Sequence, residues 1–197
     1  MADWRCAVWL AGFVVCCGLP GMVKADDQSD ARLKAEAQLL FKAVLAEDPP
    51  SQPCQLDSTW DNYPIPESVA REHLGLSLHA ELSSPYSATN PYELLESADS
   101  AFFCSAEEAR KLDGERLKQF EAGTEKSFDI KRRKYTFPVF SDDYRTAVLV
   151  ASGSRSTWLR TPEGIQRLPL EAAGYAAVYE KSGDAWRLVT TIELFIT

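Results

Sequence analysis

The sequence predicts an α+β fold: N-terminal helices packed on a C-terminal antiparallel β-sheet. Three observations carry this expectation. Apolar residues recur mainly at helical spacing before Phe120, they alternate with period two after Phe128, and the main helices therefore precede the main strands.

The chain opens on an apolar run from Cys6 to Cys17, preceded by Arg5 and broken by Gly18-Leu19-Pro20-Gly21. Val23-Lys24-Ala25 places an apolar residue at −3 and a small one at −1, the layout of a secretory signal peptide cleaved after Ala25. The run is short for a span, which needs about 20 apolar residues. Cys17, after Val14-Val15-Cys16, is a lesser alternative as a lipid attachment site. Residues 1–25 are thus read as leader and 26–197 as one α+β domain, within the size of a single domain.

Asp26-Asp27-Gln28-Ser29-Asp30 is a polar lead-in, with Ser29 or Asp30 as helix cap. Leu33, Ala37, Leu40, Phe41, Val44 and Leu45 then form one helical stripe, ended by Pro49-Pro50. Residues 49–66 hold five prolines and read as an ordered loop pinned by Cys54, Trp60 and Tyr63. Pro66 opens a short helix over Glu67–Leu74, and Gly75 stops it. Leu76, Leu78 and Ala80 alternate as a short strand, residues 83–90 turn, and Pro91 to Ser97 form another short helix capped by Asn90. Ala101 to Cys104 is a brief buried segment. Ser105-Ala106-Glu107-Glu108 is a capping box that opens a helix to about Phe120, ended by Gly123.

Strand periodicity follows. Arg133, Tyr135, Phe137 and Val139 alternate with their neighbours. Residues 146–151 are apolar on both faces, as in a central strand. Gly153-Ser154-Arg155-Ser156 has the composition of a polar turn. Residues 157–160 and 165–168 suggest a hairpin across Pro162-Glu163-Gly164. Tyr175 to Lys181 and Ala185 to Ile196 form two strands joined at Ser182-Gly183-Asp184. Trp186, Leu188, Thr190, Ile192, Leu194 and Ile196 are expected on one face. The order of elements resembles the NTF2-like architecture, in which a cone-shaped sheet wraps around a helix; the resemblance implies a sheet covered by helices on one face.

Removing residues 1–25 leaves Cys54 and Cys104, and an exported chain would join them as a disulfide. The full chain carries a formal charge of −8, and the leader removes one further net positive charge. Such acidity excludes nucleic acid as a partner, since that binding rests on phosphate neutralisation. The basic run Lys131-Arg132-Arg133-Lys134 is then either a charged guard on an edge strand or a docking patch for an acidic partner.

Catalytic signals are thin. His73 and His79 are the only histidines, and a glycine break separates them, so neither a metal nor a cofactor is expected. Ser154 lies outside any G-x-S-x-G elbow. Asp26-Asp27, Glu107-Glu108 and Asp142-Asp143 fit helix termini and turns. Glu193, between Ile192 and Leu194, reads as solvent-facing.

Three function classes remain. The first is a non-catalytic binding protein, secreted or periplasmic, that acts through a protein partner as an inhibitor or immunity-type protein, with Lys131–Lys134 as docking surface. The second binds a small molecule in an aromatic pocket between sheet and helices, lined by Trp158, Tyr175, Tyr179 and Trp186. The third is a carboxylate-dependent hydrolase.

Overall fold

The structure is a computed structural model and describes residues 25–75, 91–95 and 101–197. It is α+β: the described residues form three α-helices and a mostly antiparallel open sheet of eight strands. The expected leader, the strand at 76–81 and His79 lie outside the described residues, as do residues 96 and 97 of the expected helix after Asn90.

Helix α1 runs Ala25–Glu47. It begins before Ser29 and Asp30, so neither caps it; the polar lead-in is helical. Ala37, Leu40, Phe41 and Val44 are buried, with Leu33 and Leu45 packed beside them. Helix α2, Glu67–Leu74, has Pro66 at its N-cap and Gly75 at its C-cap, at φ 66° where glycine is unstrained. Pro91–Leu94 is one turn of 3₁₀ helix. Helix α3, Ala106–Ala122, opens on the expected capping box: Ser105 accepts from the Glu108 amide while the Glu108 carboxylate accepts from the Ser105 amide.

The strands are β1 Leu56–Asp57, β2 Phe103–Cys104, β3 Ser127–Tyr135, β4 Val139–Phe140, β5 Thr146–Thr161, β6 Gly164–Arg167, β7 Glu171–Ser182 and β8 Ala185–Ile196. The sheet order is β2-β1-β3-β5-β7-β8, with β4 and β6 also paired to β5. The two-residue strands β1 and β2 pair parallel to each other, and β1 pairs parallel to β3 at Leu56 and Arg133. They lie in segments too short to show a period. Cys54 and Cys104 form a disulfide there, with Cα atoms 4.9 Å apart.

Three expectations are corrected. Gly153-Ser154-Arg155-Ser156 is the middle of β5 and makes no turn: β3 and β7 pair with it on both sides, and that ladder overrides turn-prone composition. Strand β8 does not keep one face. Its pairing with β7 shifts between Gly174 and Tyr175 and between Val178 and Tyr179, and each bulge swaps the faces. Trp186 therefore enters the core under α1, whereas Ile192 and Leu194 pack in the other core. Phe195 lies over Gly174, where any Cβ would collide with its ring.

The helices, finally, cover both faces. Helix α1 packs on Ala147, Leu149, Ala177 and Tyr179. The opposite face, Val148, Val150, Ala176 and Val178, takes α2 through Val69, Ala70 and Leu74. Helix α3 lies on that second face too, joined through Phe120 to Phe128 and through Asp113 to Arg132. Among the described helices α1 is the one packed along the first face, beside Trp60, Leu94 and Phe103, and it stops at Glu47, short of the far half of β5 and β7. Among the described residues no helix is long and apolar enough to cross a membrane.

Candidate functional site

Where α1 ends, a groove of about 700 Å³ opens along the sheet. The volume lies within the ~300–1,000 Å³ of small-molecule sites. Its floor follows from strand register. On the α1 face, Tyr135, Ala151 and Tyr175 form one row, Arg133, Gly153 and Ala173 the next, and Lys131, Arg155 and Glu171 the outermost. The middle positions are glycine and alanine, so the floor sinks where helix cover stops. Val44, Leu149, Ala177 and Leu188 form the apolar inner end.

Polar groups at the inner end are held in place. The Arg133 guanidinium donates to the Asp48 carbonyl at 2.7 Å, pairs with the Asp48 carboxylate at 2.6 Å and donates to the Tyr135 hydroxyl at 3.2 Å. It thereby supplies a cation at the C-terminal end of α1, whose last turn has no basic residue. Glu47 accepts from the Tyr179 hydroxyl at 3.4 Å and the Leu188 amide at 3.3 Å. Burial, reinforced by the Glu47 charge, pushes the Tyr179 hydroxyl well above the ordinary tyrosine range. Burial also raises Tyr135, against the pull of Arg133. Both phenols therefore remain protonated at neutral pH, unsuited to act as bases.

The four aromatic residues expected to line a pocket divide. Tyr175 and Tyr179 line the groove. Trp158 faces α3, stacked on Phe128 at 6.2 Å with the Arg167 guanidinium 5.7 Å away. Trp186 is buried against Phe140. Sequence reasoning missed Tyr135 and the small floor residues. The available signal was the alanine- and glycine-rich run 172–177, which leaves a strand face without bulk.

The basic run alternates between faces. Arg132 pairs with Asp113 of α3, Arg133 with Asp48, and Lys134 with Asp57 at 3.8 Å. Three of the four basic side chains thus bind three other parts of the chain to β3. Lys131 is exposed on the groove rim and makes no ion pair among the described residues. The edge expected at β3 is covered by β1 at Arg133.

A second groove of about 490 Å³ lies on the opposite face, between α3, the disulfide and β3–β5. Ser154 lines it beside Arg132, and His73 sits in the last turn of α2. No group of three or more His, Cys, Asp or Glu able to hold a metal occurs among the described residues. The perturbed carboxylates Glu108, Asp129 and Asp143 are all held below their usual range by hydrogen bonds, opposite to the requirement for a general acid. Glu193 is exposed. No family model matches the chain, and the search of curated proteins finds none similar to it.

Proposed function

We propose that this chain is an exported, non-catalytic binding protein whose ligand is a small molecule held in the groove between α1 and the sheet. The observation that carries the reading is the groove itself: a mostly apolar floor of ligand size, met by a few fixed polar groups, Arg133, Tyr135, Glu47 and Tyr179. Export is supported by the layout of residues 1–25 and by the Cys54–Cys104 bridge.

The test is occupancy. N-phenyl-1-naphthylamine, a neutral fluorescent probe, should titrate the protein saturably. In Gly153→Trp the new Cβ has ordinary contacts, 3.5 Å from the Arg132 carbonyl and 3.6 Å from Arg133 Cγ, and it stands on the groove floor, so the substitution adds bulk to the groove. Affinity should fall at least about tenfold in the folded variant, a loss of about 1.4 kcal/mol. Equal affinity in the two proteins would remove the groove from consideration.

A protein partner is a second reading, favoured by a separate observation. Strand β8 ends the sheet, and its own Val189 and Ile196 are 53% and 62% exposed. An inhibitor or immunity-type role would use this edge, because Arg132, Arg133 and Lys134 are engaged within the chain. Val189→Lys should then abolish co-purification of a defined partner and leave probe binding intact.

A further inference from the structure

We infer that the outer end of the groove binds the anionic group of an amphiphilic ligand, with Lys131 as the residue that meets it; this rests on the groove being the binding site. Lys131 stands directly opposite Arg155 in the β3–β5 ladder. Directly opposed side chains have Cβ atoms about 4.5–5.5 Å apart, and like charges there are unfavourable.

The chain relieves one of the two cations. Asp129, two residues before Lys131 on the same face, accepts from Arg155 at 2.7 Å and from the Thr157 hydroxyl at 2.6 Å. Glu171 flanks Arg155 from β7. Asp129 is thus committed to Arg155, Glu171 adds its longer-range field there, and Lys131, among the described residues, feels the field of Asp129 without pairing to it. Of the four basic residues in its run it alone lacks an ion pair among the described residues.

The inner groove sets the rest of the ligand. From Arg155 to Leu149 is six residues along β5, about 20 Å at the usual rise per residue. That path passes Gly153 and Ala151 and ends against Val44. Glu47, at the far end, would repel a second anionic group. The ligand class is therefore an organic anion with one charged head and one extended apolar body.

Decanoate, decan-1-ol and decyltrimethylammonium share one chain length and differ in head charge, and displacement of N-phenyl-1-naphthylamine reads all three. Decanoate should displace the probe at a concentration at least about tenfold lower than decan-1-ol, with the cation weakest. Lys131→Gln should remove the preference for decanoate, and Lys131→Arg should retain it. Displacement by decan-1-ol at or below the decanoate concentration, or an unchanged preference in Lys131→Gln, would overturn the assignment of Lys131 and leave the groove reading standing. Probe binding with no displacement by any of the three would overturn the ligand class. A probe that is insensitive to Gly153→Trp would defeat the groove reading beneath it.

Discussion

Trp186 shows how one side chain reports on a whole strand. It is 5% exposed, packed on Phe140, with the Lys181 ammonium 5.8 Å from its ring. Trp186→Ala should destabilise by about 3–5 kcal/mol, the range for a core aromatic. Its indole N–H has no hydrogen-bond partner among the described residues. A buried orphan donor costs about 1–3 kcal/mol, so Trp186→Phe removes that penalty while losing some ring area. The variant should stay within about 1 kcal/mol of the parent, an estimate that sets the orphan penalty against the lost apolar area. Urea denaturation of both variants checks the pair. A Phe variant as unstable as the Ala variant would show that the indole edge makes the stabilising contact.

At the scale of elements, the β3–β5 pair carries a pH dependence. The Thr157 hydroxyl, then the Arg155 guanidinium, hold the Asp129 carboxyl below its usual range. A carboxylate with a depressed folded-state pKa stabilises above its unfolded value, near 3.9, and that stabilisation is lost as pH falls through the folded value. Thr157→Val removes the leading cause, so the Asp129 pKa should rise and acid unfolding should begin at higher pH. Carboxyl NMR titration reads the first effect and circular dichroism the second. An Asp129 titration unmoved in Thr157→Val would assign the depression to the cations, Arg155 first and then Lys131. Legibility in the sequence also divides at this scale. Helices α2 and α3 were readable because Pro66, Gly75 and the Ser105–Glu108 box act within a few residues. The bulges in β8 were not, because a bulge is set by the partner strand: an unbroken alternation from Trp186 to Ile196 hides two changes of face. Gly153 to Ser156 misled for a related reason, as two flanking strands hold turn-prone residues extended.

For the whole molecule, the groove was half legible. Tyr175 and Tyr179 could be read as neighbours on one strand face, two residues from a run of alanines. That α1 would end above them, and that Arg133 would come from β3 to cap it, depends on contacts between segments 85 residues apart. The Cys54–Cys104 bridge links these scales. Cys54 has φ 57°, uncommon for a residue with a side chain. The next residue, Gln55, is buried and turns its carbonyl to the Arg133 amide at 2.7 Å, so the bridge fixes the strip of chain that borders Arg133. The crosslink spans 50 residues. Chain entropy alone gives such a loop about 4 kcal/mol. Replacing both cysteines by serine should therefore lower stability by up to about 4 kcal/mol. The loss should not be uniform. The Arg133 amide, bonded to Gln55, should lose hydrogen-exchange protection at lower denaturant than the Val150 amide, which donates to Thr136 Oγ1 at 2.8 Å inside the sheet. Equal loss at both amides would mean that the bridge acts only on the unfolded chain. Selective loss at Arg133, with weaker probe binding, would mean that it also holds the groove wall in place.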